Sequence, residues 1–317
     1  MGTFTLEVMG SEGKAIFSAS GTAPCSMGGT CFNRGILTVD GEEIAVHSSG
    51  VSLKEFNRPE NQIVVLTKKI QFYNRKYPES KNDPSKSNSS VLGLWVERAE
   101  AYAKIKQYEK AVSDIEVAIS LFEQENPSLD RIFKTQDLKK YMTLAALYHY
   151  FLENYSQSAE AIERAIGAND IYMEARKKDS AATINVNKQV DRLDLWLWIV
   201  RMKQGKQELA DRELRHVLEE ASKSDRFCEL NIKIARFYVG DMNEKHLADS
   251  IDNNPRQIAR HCNGFIASIK FSSNYYIGQK AIVNGNIEKG KAMLRLSLEN
   301  RGGYNKEREI AIYELDN

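Results

Sequence analysis

The stretch GTAPCSMGGTC, residues 21–31, sets two cysteines on either side of a Gly-Gly pair, with Asp40 and His47 a short way downstream. A thiol, a base and a carboxylate to orient that base are the parts of a nucleophilic site. A cysteine is activated at neutral pH by a helix N-terminus or a nearby cation. The residues around Cys25 are β-rich and offer no helix start. A loop with reduced or opportunistically paired cysteines is therefore the expected role, and an enzyme using Cys25 is the open alternative.

Other chemistry-bearing patterns fail on spacing. GSEGK, residues 10–14, has a Gly-Lys pair, but the upstream glycine is too near and Ala15 stands where a phosphate loop needs Ser or Thr for magnesium. The five histidines, His47, His149, His216, His246 and His261, form no H-x-x-x-H or H-E-x-x-H pair, and the four cysteines form no C-x-x-C. No metal and no cofactor is expected. KKIQFYNRKY, residues 68–77, mixes cations and aromatics as a single-strand nucleic-acid platform would. An edge strand guarded by lysines explains it equally well, so nucleic acid is not the expected partner.

Composition narrows the class. The chain has 317 residues, with 44 Lys and Arg against 43 Asp and Glu, a formal net charge of +1. No global field draws it to nucleic acid or to an anionic membrane. MGTFTLEVMG lacks a basic start followed by an apolar core, and no run of eighteen or more apolar residues occurs. The expectation is a soluble, cytoplasmic protein with reduced thiols, long enough to bury a core without disulfide staples.

The elements that would position these residues change character along the chain. FTLEV (4–8), AIFSA (15–19), GILTV (35–39), EIAVH (43–47) and IVVLTKKIQFY (63–73) are β-rich runs bounded by Gly, Asn, Asp and Pro. Asp40-Gly41 between two of them suits a tight hairpin turn. Residues 1–77 thus read as a small β domain. YPESKNDPSKSNSS (77–90) has two prolines, several serines and nothing apolar beyond its first tyrosine, so residues 78–90 read as a polar linker. From Val91 to Asn317 apolar residues recur three or four apart, as in helices.

One spacing recurs in the helical half. Ala99, Tyr102, Tyr108, Ala111, Ile115 and Ala118 are matched by Ala146, His149, Tyr155, Ser158, Ile162 and Ala165. They are matched again by Trp198, Arg201, Gln207, Ala210, Leu214 and Val217, and by Gly278, Ala281, Ile287, Gly290, Leu294 and Ser297. A short turn falls at the same place each time, IKQY, LENY, KQGKQ and VNGNI. Small residues let paired helices approach, and large apolar ones fill the space toward the next pair. Residues 227–255, with Gly240-Asp241 at the turn, have room for a further pair.

These residues resemble the tetratricopeptide repeat (TPR) family over roughly residues 91–300, with 93–121 the best match. Offsets of forty-seven, fifty-two and eighty residues, measured from Tyr108 to Tyr155 to Gln207 to Ile287, exceed that family's usual thirty-four, so longer helices or loops must intervene. The β-rich runs and this resemblance together give the expected class, α+β: a small N-terminal β domain, read from the residues, followed by a TPR-like α-helical repeat array, an α-solenoid, implied by the resemblance. An ordinary helical bundle is the competing architecture.

A solenoid's first helices line a concave face. On this register that face includes Glu100, Lys104, Leu147, Tyr150, Phe151, Ile199, Met202, Lys203, Tyr275 and Gln279. Val96, Thr143 and Leu195 stand where the TPR proteins that clamp a C-terminal carboxylate would carry cations. The expected function is therefore a scaffold or assembly adaptor holding an apolar or amphipathic segment of another protein, without catalysis. A peptide- or ligand-responsive regulator is the alternative, and packing of these residues on one another is the structural one. Trp95, Trp196 and Trp198 are expected to be packing residues. The partner is a protein or peptide rather than a membrane, and a homo-oligomer stays open.

Overall fold

The computed structural model describes residues 3–9, 15–22, 34–39, 42–48, 59–76, 89–125, 132–179, 190–221, 228–253, 258, 266–300, 302 and 305–317. Two compact units are present, Met1–Pro127 and Ser128–Asn317.

In the first unit the backbone carries strands β1 (Thr3–Met9), β2 (Ala15–Thr22), β3 (Arg34–Val39) and β4 (Glu42–Ser48), paired antiparallel in chain order. Val39 pairs with Glu42 across Asp40-Gly41, and those two residues lie outside the described ones. Helices α1 (Pro59–Lys76), α2 (Ser89–Lys104) and α3 (Tyr108–Glu125) follow.

The α+β class expected from the sequence is corrected here. Every regular element whose side-chain burial is described is a helix, so a β domain with its own core is not what the structure shows, and the fold is a helical array. The run at 63–73, expected as a strand, belongs to α1. Its β-branched residues resemble a strand locally. Yet Pro59 opens a helix at the position where a missing N–H costs nothing, and Leu66 and Ile70, one turn apart, are both buried. Tertiary burial of that one face overrides the local preference. Of the linker expected at 78–90, residues 78–88 lie outside the described ones, and Ser89 and Ser90 open α2.

Helix α2 packs on both α1 and α3. Arg98 grips Asp114 of α3 through two parallel bonds of 2.7 and 2.8 Å and reaches Thr67 of α1 at 3.0 Å. Its guanidinium also lies 4.6 Å from the centre of the Trp95 ring. With Asp114 only 4% exposed, the pair is a structural bolt.

The second unit contains α4 (Ile132–Phe151), α5 (Tyr155–Asp179), α6 (Arg192–Lys203), α7 (Gln207–Ala221), α8 (Glu229–Tyr238), α9 (Glu244–Asn253), α10 (Ile266–Val283), α11 (Ile287–Glu299) and α12 (Asn305–Asp316). Each helix from α4 to α12 packs on the next, α6, α8 and α10 also touch one another, and α12 touches α4. The even-numbered helices therefore form an inner layer. Parts of α4 and α6 are buried almost all round, as in Leu144–Tyr150 and Leu193–Val200, whereas α12 buries one stripe. The outer helices bury a single stripe, such as Ala210, Leu214, Val217 and Ala221 of α7.

One turn builds all five hairpins of the described residues. Its key residue has positive φ: Lys106 (58°), Glu153 (58°), Gly205 (72°), Gly240 (86°) and Gly285 (81°). The following N–H donates back to a carbonyl five residues earlier, on Tyr102, His149, Arg201, Arg236 and Ala281, at 2.8–3.0 Å. This is the Schellman closure of a helix end. Four of those acceptors are the second marker residues of the repeated spacing. The fifth belongs to the pair α8–α9 expected at Gly240-Asp241, which accounts for much of the eighty-residue offset. The 25 residues of α5 lengthen another.

The small markers sit where helices cross. Ala99, Ala111, Ala118, Ala146, Ser158 and Ala165 are fully buried, and Ser158 Oγ donates to the Ala146 carbonyl at 2.9 Å. At the α10–α11 crossing a Cβ on Gly290 would lie 2.4 Å from Ile282 Cγ1 and 3.0 Å from the Gly278 carbonyl oxygen. Gly290→Ala is expected to destabilise the protein by about 1–3 kcal/mol through overpacking, read as a lower midpoint in thermal unfolding. An unchanged midpoint would mean that the crossing relaxes freely.

The expectation of reduced thiols is also corrected: Cys228 is disulfide-bonded, its partner cysteine lying outside the described residues. Peptide mapping after alkylation of the unreduced protein should leave Cys228 unlabelled, with labelling appearing only after reduction.

Candidate functional site

Cys25, Cys31, Asp40 and the side chain of His47 lie outside the described residues. Among the described residues no group of three or more His, Cys, Asp or Glu could hold a metal ion, and no helix is long and apolar enough to cross a membrane.

The expected concave residues divide between the two units. Glu100 is half-buried and Lys104 exposed at the end of α2 in the first unit. The rest fall on inner helices of the second unit. There Leu147, Tyr150, Ile199 and Gln279 are fully buried, Tyr275 and Phe151 nearly so, and only Met202 and Lys203 are half-buried. Tyr150 of α4 and Lys203 of α6 converge on one point, the carboxylate of Glu314.

Glu314 belongs to α12, the last helix, which occupies this face. The Tyr150 hydroxyl donates to Glu314 Oε1. Lys203 Nζ lies 2.8 Å from the same oxygen and donates to Oε2 at 3.1 Å. Two turns earlier on α12, Glu307 accepts the Tyr276 hydroxyl of α10 at 2.7 Å and lies 3.9 Å from Arg192 Nε of α6. Between the two carboxylates Ile310 (2% exposed) and Ala311 (0%) face inward. Tyr313 packs its ring 4.9 Å from Phe151 and 6.1 Å from Tyr150.

An aromatic lattice supports the donors. Trp196 lies 6.4 Å and Tyr155 5.6 Å from the Tyr150 ring. Trp198 stacks on Tyr238 at 4.2 Å, and its indole N–H donates to Asp211 at 2.8 Å. Trp196 and Trp198 are thus packing residues, as expected. Sequence reading missed Tyr276, Arg192, Glu307 and Glu314. The spacing of Glu307 and Glu314 on one helix face was a visible signal, but nothing local says that a C-terminal helix packs inward. Gln279 is enclosed with neither amide atom bonded within the protein, and the Trp196 indole N–H is likewise unbonded.

Burial makes the tyrosines hard to ionise. Tyr150 is pushed well above its ordinary 10.0, first by desolvation and then by the charges of Glu314 and Tyr275. Tyr238, Tyr275 and Tyr276 rise for the same first reason, with Glu307 next. Lys280 is lowered by its burial, where it donates to the Phe237 carbonyl and stands 4.2 Å above that ring's centre.

No protein-family model matches the chain, and no curated protein does. Among solved structures it is similar to a tetratricopeptide repeat protein from Parabacteroides merdae ATCC 43184. The identity is 14%, the match covers 83% of this chain and 86% of that one, and the TM-score is 0.35. Independently of that likeness, the hairpins and their shared turn define an array of repeated helix pairs.

The raised tyrosines favour the neutral form in the folded state, so their contribution is complete below about pH 10 and is lost as pH rises above it. Chemical denaturation at stepped pH should show stability falling from there upward. The Tyr276→Phe variant should fall less steeply.

Proposed function

We propose that this chain is a non-catalytic interaction protein whose helical array holds a helical segment of another protein. Lys203 and Met202 stand at the accessible margin of the aromatic face, and Leu147, Tyr150, Phe151, Ile199, Tyr275 and Gln279 form its floor. Glu100 and Lys104 contribute to a separate surface on the first unit. The observation that carries the reading is that the inner helices already hold an amphipathic helix, α12, by tyrosine hydroxyls and cations rather than by packing alone. A polar rim around an apolar centre is how helix-binding grooves gain register. The expected absence of cations at Val96, Thr143 and Leu195 argues against a terminal-carboxylate clamp. The disulfide at Cys228 favours a compartment in which disulfides persist over the reducing cytoplasm.

Affinity purification with the full chain, followed by cross-linking and mass spectrometry, is the test. A discrete partner should cross-link near α4 and α6, and Lys203→Glu should reduce its recovery at least several-fold while the far-ultraviolet circular dichroism is unchanged. Equal recovery with that variant, or no enriched partner, would overturn the reading.

A further inference from the structure

We propose that the inner face of the second unit is a receptor for partner helices that carry two carboxylates seven residues apart flanking a small apolar pair, with α12 as its resident, displaceable occupant. This rests on the interaction reading above and names the partner's chemistry.

The buried face of α12 consists of Glu307, Ile310, Ala311 and Glu314, the spacing of a single helical stripe. Its attachment is unusually polar for a core helix. Only Ile310 and Ala311 are buried apolar side chains, while each carboxylate takes a tyrosine O–H and faces a cation. The four partner groups, on Tyr150, Lys203, Tyr276 and Arg192, all belong to the array and not to α12. Toward these four groups the helix supplies acceptors, while its Arg308 stands 5.5 Å from the centre of the Phe271 ring of α10. Any helix with the same two carboxylates can therefore restore the whole set.

The same chemistry supplies selectivity. A helix that covered the hydroxyls of Tyr150 and Tyr276 without bringing both carboxylates would exclude water and leave a buried O–H unsatisfied, a cost that discriminates against it. The connection from α11 to α12 also has a catch. Arg308 donates to the carbonyls of Asn300 at 3.0 Å, Gly302 at 3.2 Å and Leu298 at 3.5 Å. One guanidinium therefore fixes the end of α11 to the start of α12, in a connection whose sequence is RGGY. Loosening it frees α12 without touching the groove's donors.

The probe is a fluorescein-labelled peptide of residues 304–317, titrated by anisotropy into the full chain. Wild type should bind it weakly. Arg308→Ala and the double variant Glu307→Gln/Glu314→Gln should each bind it at least tenfold tighter, and a peptide with Gln at both glutamate positions should bind at least tenfold weaker than the unsubstituted one. Three results would overturn the proposal. The first is no peptide binding by variants whose circular dichroism matches wild type. The second is equal binding of the two peptides. The third is global unfolding of both variants, which would make α12 an inseparable part of the core. Dimers of the variants that excess peptide does not dissolve would assign the face to a second copy and overturn the partner reading. A cellular partner whose recovery the peptide does not reduce would sink this inference while leaving the interaction function standing.

Discussion

The structure depends on how the first helix of each pair is ended. A residue with positive φ and the carbonyl bond behind it fix the angle at which the second helix leaves. Once that angle is set, the residues that meet are set too: Ala146 with Ser158 and Gly278 with Gly290. A larger side chain at any of these crossings would push the helices apart and open the space that Ile115, Ile162 and Leu294 fill. Lys106 and Glu153 hold the turn conformation without being glycine, which L-residues adopt only at a cost of roughly 1–2 kcal/mol. Packing on both sides of the turn must outweigh that cost.

Regular closure of the pairs creates the condition for the inner layer. Outer helices meet solvent on one side and need a single apolar stripe. Inner helices are covered on most sides, and their sequences are correspondingly apolar and aromatic. A layer built from tyrosines then has a second requirement, because each enclosed hydroxyl needs an acceptor. Tyr238 uses the Tyr276 carbonyl at 3.2 Å. Tyr150 and Tyr276 use carboxylates that only α12 provides. This helix is thus held both by the packing of Ile310, Ala311 and Tyr313 and by two carboxylates that meet the array's donors at a fixed separation.

Such a face is occupied by α12 through polar and apolar contacts alike. Lys203 and Arg192 balance the carboxylates, the tyrosines fix their positions along the helix axis, and Ile310 and Ala311 require close approach at the centre. Ala311, fully buried, leaves no room there for a larger side chain without moving the two carboxylates away from their donors. Shape and charge thus act together in seating α12 on the inner helices.

Local chemistry determined the helix pairs. The markers from Ala99 to Ser297 reported small residues at crossings and turns at Lys106, Glu153, Gly205 and Gly285, because both requirements act within about twenty residues of chain. The Gly240 pair was legible for the same reason. Beyond that range the sequence misled. The run at 63–73 looked like a strand because its β-branched residues carry a local preference, and only the burial of Leu66 and Ile70 among neighbouring helices made it α1. Cys228 gave no sign of pairing, since a disulfide depends on which distant cysteine the fold brings near. Above all, the face holding Tyr150, Phe151 and Tyr275 was readable as an apolar wall, but its occupant was not. Whether Glu307 and Glu314 meet solvent or tyrosines is decided by where a helix more than a hundred residues downstream of Lys203 comes to rest, and only the folded chain fixes that.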